Sequence, residues 1–78
     1  MAQELLSLSA QNARVVGWRQ LIVELLQESS PRPIDEVLDT TARRARVIPS
    51  DIKVALSEAE IDDEVSIDYF AGTVRLPA

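Results

Sequence analysis

Apolar positions in the first third of the chain recur at helical spacing. Val15, Trp18, Leu21, Ile22, Leu25 and Leu26 fall three and four residues apart, which predicts a helix over residues 9–28 with one face turned to a core that includes Trp18. Ser9 is placed to cap its first amides, leaving residues 1–8 as an N-terminal extension. Leu5, Leu6, Leu8, Val16 and Val23 add apolar surface beyond that stripe. Of these, Leu5, Leu8, Val16 and Val23 are the candidates for self-association into a symmetric dimer, the alternative being burial against a partner. The stretch Ser29-Ser30-Pro31-Arg32-Pro33 then ends the helix, because proline lacks an amide donor and biases its predecessor away from helical geometry.

Ile34, Val37 and Leu38 open a second amphipathic helix, predicted over residues 34–46, with Asp35 and Glu36 at the positive end of its dipole and arginines in its last turn. Pro49-Ser50-Asp51 predicts the start of a third, over residues 51–60, with Ser50 as the cap. There Ile52, Ala55, Leu56 and Ala59 point inward, leaving Asp51, Val54, Ser57 and Glu58 outward with Lys53 at the margin. After residue 64 the period changes to two: Val65, Ile67 and Tyr69, then Val74 and Leu76, alternate with their neighbours, predicting a β-hairpin over residues 65–77. A two-residue loop at Ala71-Gly72 pairs Phe70 with Thr73, Tyr69 with Val74, Asp68 with Arg75 and Ile67 with Leu76. In that register Tyr69 faces the core, Asp68 and Arg75 form an ion pair, and Phe70 stands on the outer face at the tip.

Composition narrows the function. Seventy-eight residues, 46% apolar and 27% charged, describe a single folded domain over residues 1–78. Cysteine and histidine are absent, which excludes disulfides, thiolate or imidazole metal sites and His-dependent nucleophiles, and suits a reducing, cytoplasmic setting. The longest apolar cluster, Leu21 to Leu26, is broken by Glu24 and far too short to span a membrane, and the start Met1-Ala2-Gln3-Glu4 lacks the basic character of a cleaved signal peptide. No catalytic or ligand motif appears, so the expectation is no enzyme, no cofactor, no metal and no small-molecule ligand.

The net charge of −5 is unevenly placed. Residues 1–49 carry six acids and six arginines, whereas residues 50–78 carry seven acids against Lys53 and Arg75. Arg43, Arg44 and Arg46 form the one basic cluster. Glu58, Glu60, Asp62, Asp63 and Glu64 form an acidic run that lacks the ligand spacing and central glycine of a calcium loop and reads as a solvated elbow.

Leu25-Leu26, Ile34-Asp35-Glu36-Val37-Leu38, Pro49-Ser50-Asp51-Ile52-Lys53-Val54-Ala55-Leu56 and the hairpin from Val65 to Leu76 together resemble a winged helix-turn-helix. The resemblance covers residues 13–77 at the level of the superfamily, and it departs from the pattern in a passage from Arg43 to Pro49 that is longer than the usual tight turn. It implies an α+β fold, a three-helix winged helix with a C-terminal β-hairpin wing. In members that read DNA, it implies a third helix in the major groove and a wing on phosphate or in the minor groove.

Base edges and phosphates require donors. Here the third helix supplies Lys53 as its one cation and the tip Phe70-Ala71-Gly72 supplies none, so an acidic face would meet an acidic duplex. The expectation is therefore a small non-enzymatic regulatory or accessory protein that binds another protein. Its contact candidates are Arg43, Arg44, Arg46, Lys53, Val54, Phe70 and Arg75. The alternative is a dimeric DNA-binding transcriptional regulator that grips phosphates through Arg43, Arg44 and Arg46, helped by Arg32, Lys53 and Arg75.

Overall fold

A computed structural model describes the backbone of residues 2–77 and the side chains of residues 13–77. The elements are α1 (Ala2–Glu28), β1 (Arg32–Pro33), α2 (Ile34–Ala45), α3 (Pro49–Ile61), β2 (Ser66–Asp68) and β3 (Thr73–Arg75). The fold is α+β, with three helices and an antiparallel three-stranded sheet in the order β1-β3-β2. Ile22, Leu25 and Leu26 of α1, Val37, Leu38 and Ala42 of α2, Ile52, Ala55, Leu56 and Ala59 of α3, and Val65 and Val74 from the hairpin make one buried cluster. Trp18 packs against its edge, half-buried.

α1 begins well before the expected Ser9. That serine lies inside the helix rather than at its start, because Ala2, Gln3, Glu4, Leu5 and Leu6 are all strong helix formers. The expected extension 1–8 is therefore helical from Ala2 onward, and the side chains of Leu5, Leu6 and Leu8 lie outside the described residues. Val23, expected on a free face, is half-buried and packs on the core, whereas Val16 is 49% exposed.

The link between α2 and α3 is short. α2 stops at Ala45, Arg46 turns into the left-handed region at φ 58°, and the Val47 amide donates to the Ala42 carbonyl at 3.0 Å. Proline at the first position of α3, after an extended Ile48, starts the next helix, and Ser50 makes no capping bond. Only residues 46–48 separate the helices, so the expected long passage from Arg43 to Pro49 is a tight three-residue turn.

The hairpin register is Ser66↔Arg75, Ile67↔Val74 and Asp68↔Thr73, two residues away from the expected pairing. An even shift keeps every side chain on its face, so alternation alone does not separate the two registers. The Asp68 side chain decides between them: its Oδ1 accepts the amides of Phe70 and Ala71, each at 3.0 Å, and its carbonyl accepts Gly72 N–H at 2.8 Å. This makes a four-residue loop, 69–72, in which Gly72 takes φ 71°. Asp68 is occupied by the turn and does not pair with Arg75, and Tyr69, expected in the core, lies in the loop at 72% exposure.

β1 comes from the Pro-rich linker and was not anticipated. Arg32 pairs with Val74 and Pro33 with Thr73, and because β1 is an edge strand the missing proline N–H breaks no inner ladder. The Ile34 amide donates to the Gly72 carbonyl at 2.9 Å, which ties the hairpin loop to the start of α2.

Candidate interaction surface

With Ile52, Ala55, Leu56 and Ala59 committed to the core, the helical period leaves Ser50, Lys53, Val54, Ser57, Glu58 and Ile61 on the solvent side of α3. Val54 is 52% exposed and Ile61 77%, which is unusual for branched aliphatic side chains. Beside this helix stands the hairpin loop, where Tyr69 and the fully exposed Phe70 project from a backbone fixed at both ends by the Asp68 and Gly72 bonds. A cleft of about 190 Å³ lies between them, lined by Ile34, Leu38, Lys53, Leu56, Ile67 and Tyr69, with Ser57 at the same mouth. The cleft thus offers aliphatic and aromatic contact area with Lys53 as its one cation, while Val54 lines a separate groove with Arg14, Val15, Trp18 and Asp51, and Ile61 lies beside Arg19, Glu58 and Asp62.

The Tyr69 hydroxyl donates to Glu60 Oε1 at 2.7 Å, linking the loop to α3. That bond raises the phenol's pKa above its ordinary 10.0, with desolvation and the Glu60 charge acting in the same direction. The stability carried by this contact is fully present below the unfolded-state pKa and is lost as the pH climbs through the higher folded-state value. Tyr69 is the one tyrosine in the chain, so an ultraviolet titration reads it alone. The expected midpoint is above 10.0, and Glu60→Ala should move it back toward that value; a midpoint indifferent to Glu60→Ala would remove the link.

The acidic elbow is not merely solvated. Arg19, on the flank of the α1 apolar stripe, places one guanidinium against three of its carboxylates: Asp62 at 2.6 Å, Glu58 at 3.9 Å, and Glu64 in the closest contact. The hydrogen bonds that Arg19 donates, to Glu64 first and Asp62 second, hold its pKa still further above its already high ordinary value, so it stays charged at every working pH. Arg19 was not among the expected site residues. Its signal is in the sequence all the same: positions three and four residues to either side of it are Val15, Val16, Ile22 and Val23, so its acids must come from elsewhere in the fold. Among the described residues no group of three or more acids is arranged to hold a metal ion.

The expected basic cluster is dispersed. Arg43 pairs with Asp39 at 2.8 Å and Arg44 with Glu28 at 3.3 Å, while Glu28 and Glu36 also flank Arg32. Arg46 is exposed in the turn and makes no ion pair among the described residues. Arg75 is exposed opposite Ser66, beside Glu60 and Asp63 in a shallow groove. Of the expected contact residues, Lys53 lines the α3–hairpin cleft, Phe70 stands on the loop beside it, Val54 faces the groove that Trp18 lines, and the three arginines do not join them in one patch.

Among the described residues no helix is long and apolar enough to cross a membrane. Comparison with protein-family models, curated proteins and solved structures finds no match to the chain.

Proposed function

We propose that this chain is a small non-enzymatic winged-helix protein, cytoplasmic and regulatory or accessory, that works by binding another protein through α3 and the hairpin wing. The observation that carries the reading is the character of that surface. Tyr69 lines an apolar cleft with Ile34, Leu38, Leu56 and Ile67, the fully exposed Phe70 stands next to it in the same loop, and Lys53 is the one cation lining that cleft, while Val54 and Ile61 are exposed elsewhere on α3. Exposed aromatic and branched aliphatic side chains on a fixed backbone are what protein interfaces use as anchors. Duplex recognition asks instead for several Arg, Lys, Asn or Gln side chains aimed at phosphates and base edges. The winged-helix assignment is supported by the element order, in which two helices joined by a tight turn precede a terminal hairpin.

A second reading, DNA binding, is favoured by the three-residue turn between α2 and α3, the spacing of a helix-turn-helix, with Arg46 and Lys53 next to it. One experiment separates the two. The tagged protein and a Phe70→Asp/Val54→Asp variant are used for capture from native extract, with and without nuclease, alongside a random duplex titrated at physiological salt. The expected result is a nuclease-resistant protein partner lost from the variant, and no duplex binding tighter than about 100 µM. Submicromolar, sequence-selective duplex binding that requires Lys53 would instead establish the DNA reading.

A further inference from the structure

The α3–hairpin cleft has a polarity that narrows what can fill it. Its volume of about 190 Å³ exceeds the roughly 150 Å³ of cavities that take up a benzene ring, so it admits one aromatic or branched aliphatic side chain. Its floor is apolar and continuous with the core: Leu38 and Leu56 are buried members of the central cluster, and Ile34 and Ile67 are half-buried against it. A side chain entering there meets carbon and extends that core outward.

The rim is charged at both ends. Lys53, Ser57 and Glu60 stand four and three positions apart, so they form one stripe along α3. Lys53 lines the cleft at one end, and at the other the Tyr69 hydroxyl, from the opposite wall, donates to Glu60 Oε1 at 2.7 Å. Along the helix axis the two charges are about 10 Å apart. Neither is neutralised. The positions three and four away from Lys53 are Pro49, Ser50, Leu56 and Ser57, none of them acidic. Among the described residues neither Lys53 nor Glu60 forms an ion pair, whereas Arg19, Arg32, Arg43 and Arg44 all have carboxylate partners.

We infer that the cleft receives a segment of a partner protein that presents one large apolar side chain between an acidic and a basic one, the acid on Lys53 and the base on Glu60. This occupant rests on the reading of α3 and the wing as a protein-binding surface. Charge complementarity selects it. A segment with two acids sets one of them against Glu60, a segment with two bases sets one against Lys53, and only opposite charges satisfy both ends. The apolar anchor supplies the affinity in its pocket, while the rim charges fix the direction in which the segment lies.

The test uses three alanine-rich helical peptides, each with a central Leu flanked by two charged residues about 10 Å apart: one with Glu and Lys, one with two Glu, one with two Lys. Binding to the isotope-labelled full chain is followed by nuclear magnetic resonance at physiological salt, where the net charge of −5 is largely screened. The expected Kd for the mixed peptide is about 0.1–1 mM, with shifts at Lys53, Ser57, Ile67 and Tyr69, and the other two peptides about three- to tenfold weaker. Lys53→Glu makes both ends acidic and should move the preference to the two-Lys peptide; the side chain is exposed, so the new charge stays out of the core. Glu60→Lys should move it to the two-Glu peptide, and decides if the first variant does not fold. No binding of the mixed peptide at several millimolar, shifts away from the cleft, or an order of preference indifferent to these substitutions overturns the inference. In capture from native extract, a partner lost from Phe70→Asp/Val54→Asp but kept by Lys53→Glu would overturn this occupant and leave α3 and the wing as the binding surface. No nuclease-resistant partner at all would remove both.

Discussion

Leu25→Ala and Leu56→Ala are each expected to destabilise the domain by about 2–5 kcal/mol. Leu25 is 1% exposed on α1 and Leu56 4% exposed on α3, in the same buried cluster. Truncating either removes three carbon atoms from water-free surroundings and leaves a cavity that two helices cannot close without moving apart. A domain of this size has about 5 kcal/mol in hand, so either variant should be partly unfolded at 25 °C and the double variant wholly so. Urea denaturation followed by far-ultraviolet circular dichroism reads both effects. A loss below about 1 kcal/mol at either site would mean that the helix concerned does not face the core as described.

The second large effect belongs to Arg19. Arg19→Ala removes one guanidinium and leaves Glu58, Asp62 and Glu64 converging on the place it held. The arginine side chain is 18% exposed and its acids are 39–56% exposed, so solvent screens the pairs and each alone contributes little. Acting together they tie α1 to the α3–β2 elbow, and the loss is expected at about 1–2 kcal/mol in low salt, falling toward zero in concentrated salt. Asp62→Ala should cost much less, since deleting one of three crowded carboxylates also relieves repulsion. Melts of Arg19→Ala at two ionic strengths check this, and a salt-independent loss would point to packing of the arginine stem rather than to charge.

The three helices and the terminal hairpin are legible in the sequence because each carries an unbroken apolar period. Ile22, Leu25 and Leu26 define one buried stripe, and Ile52, Ala55, Leu56 and Ala59 define another. What escapes periodicity is decided by single side chains. The α2–α3 turn is hidden because Arg46 takes a left-handed conformation that glycine or asparagine usually signals. The hairpin register is hidden because the two candidate pairings differ by an even step, and the bonds of Asp68 to its own loop are what separate them. β1 has two residues, one a proline, and so no period to read. At the candidate surface, the exposure of Val54 and Phe70 follows from the pattern, whereas that of Tyr69 depends on the register. The capture of three acids by Arg19 depends on long-range geometry that spacing within α1 does not contain.

The strand order has a consequence for how the chain is made. β3 is the middle strand of the sheet and the last element in the sequence, and it pairs with β1 through Arg32 and Val74, 42 positions apart. Helices can form as they leave the ribosome, but until Val74 emerges β1 and β2 have nothing between them and the apolar faces of α1 and α2 lack part of their cover. The sheet therefore closes only once β3 has left the ribosome. A nascent chain stalled before Thr73 would hold a helical, uncapped core that is open to chaperones and proteases.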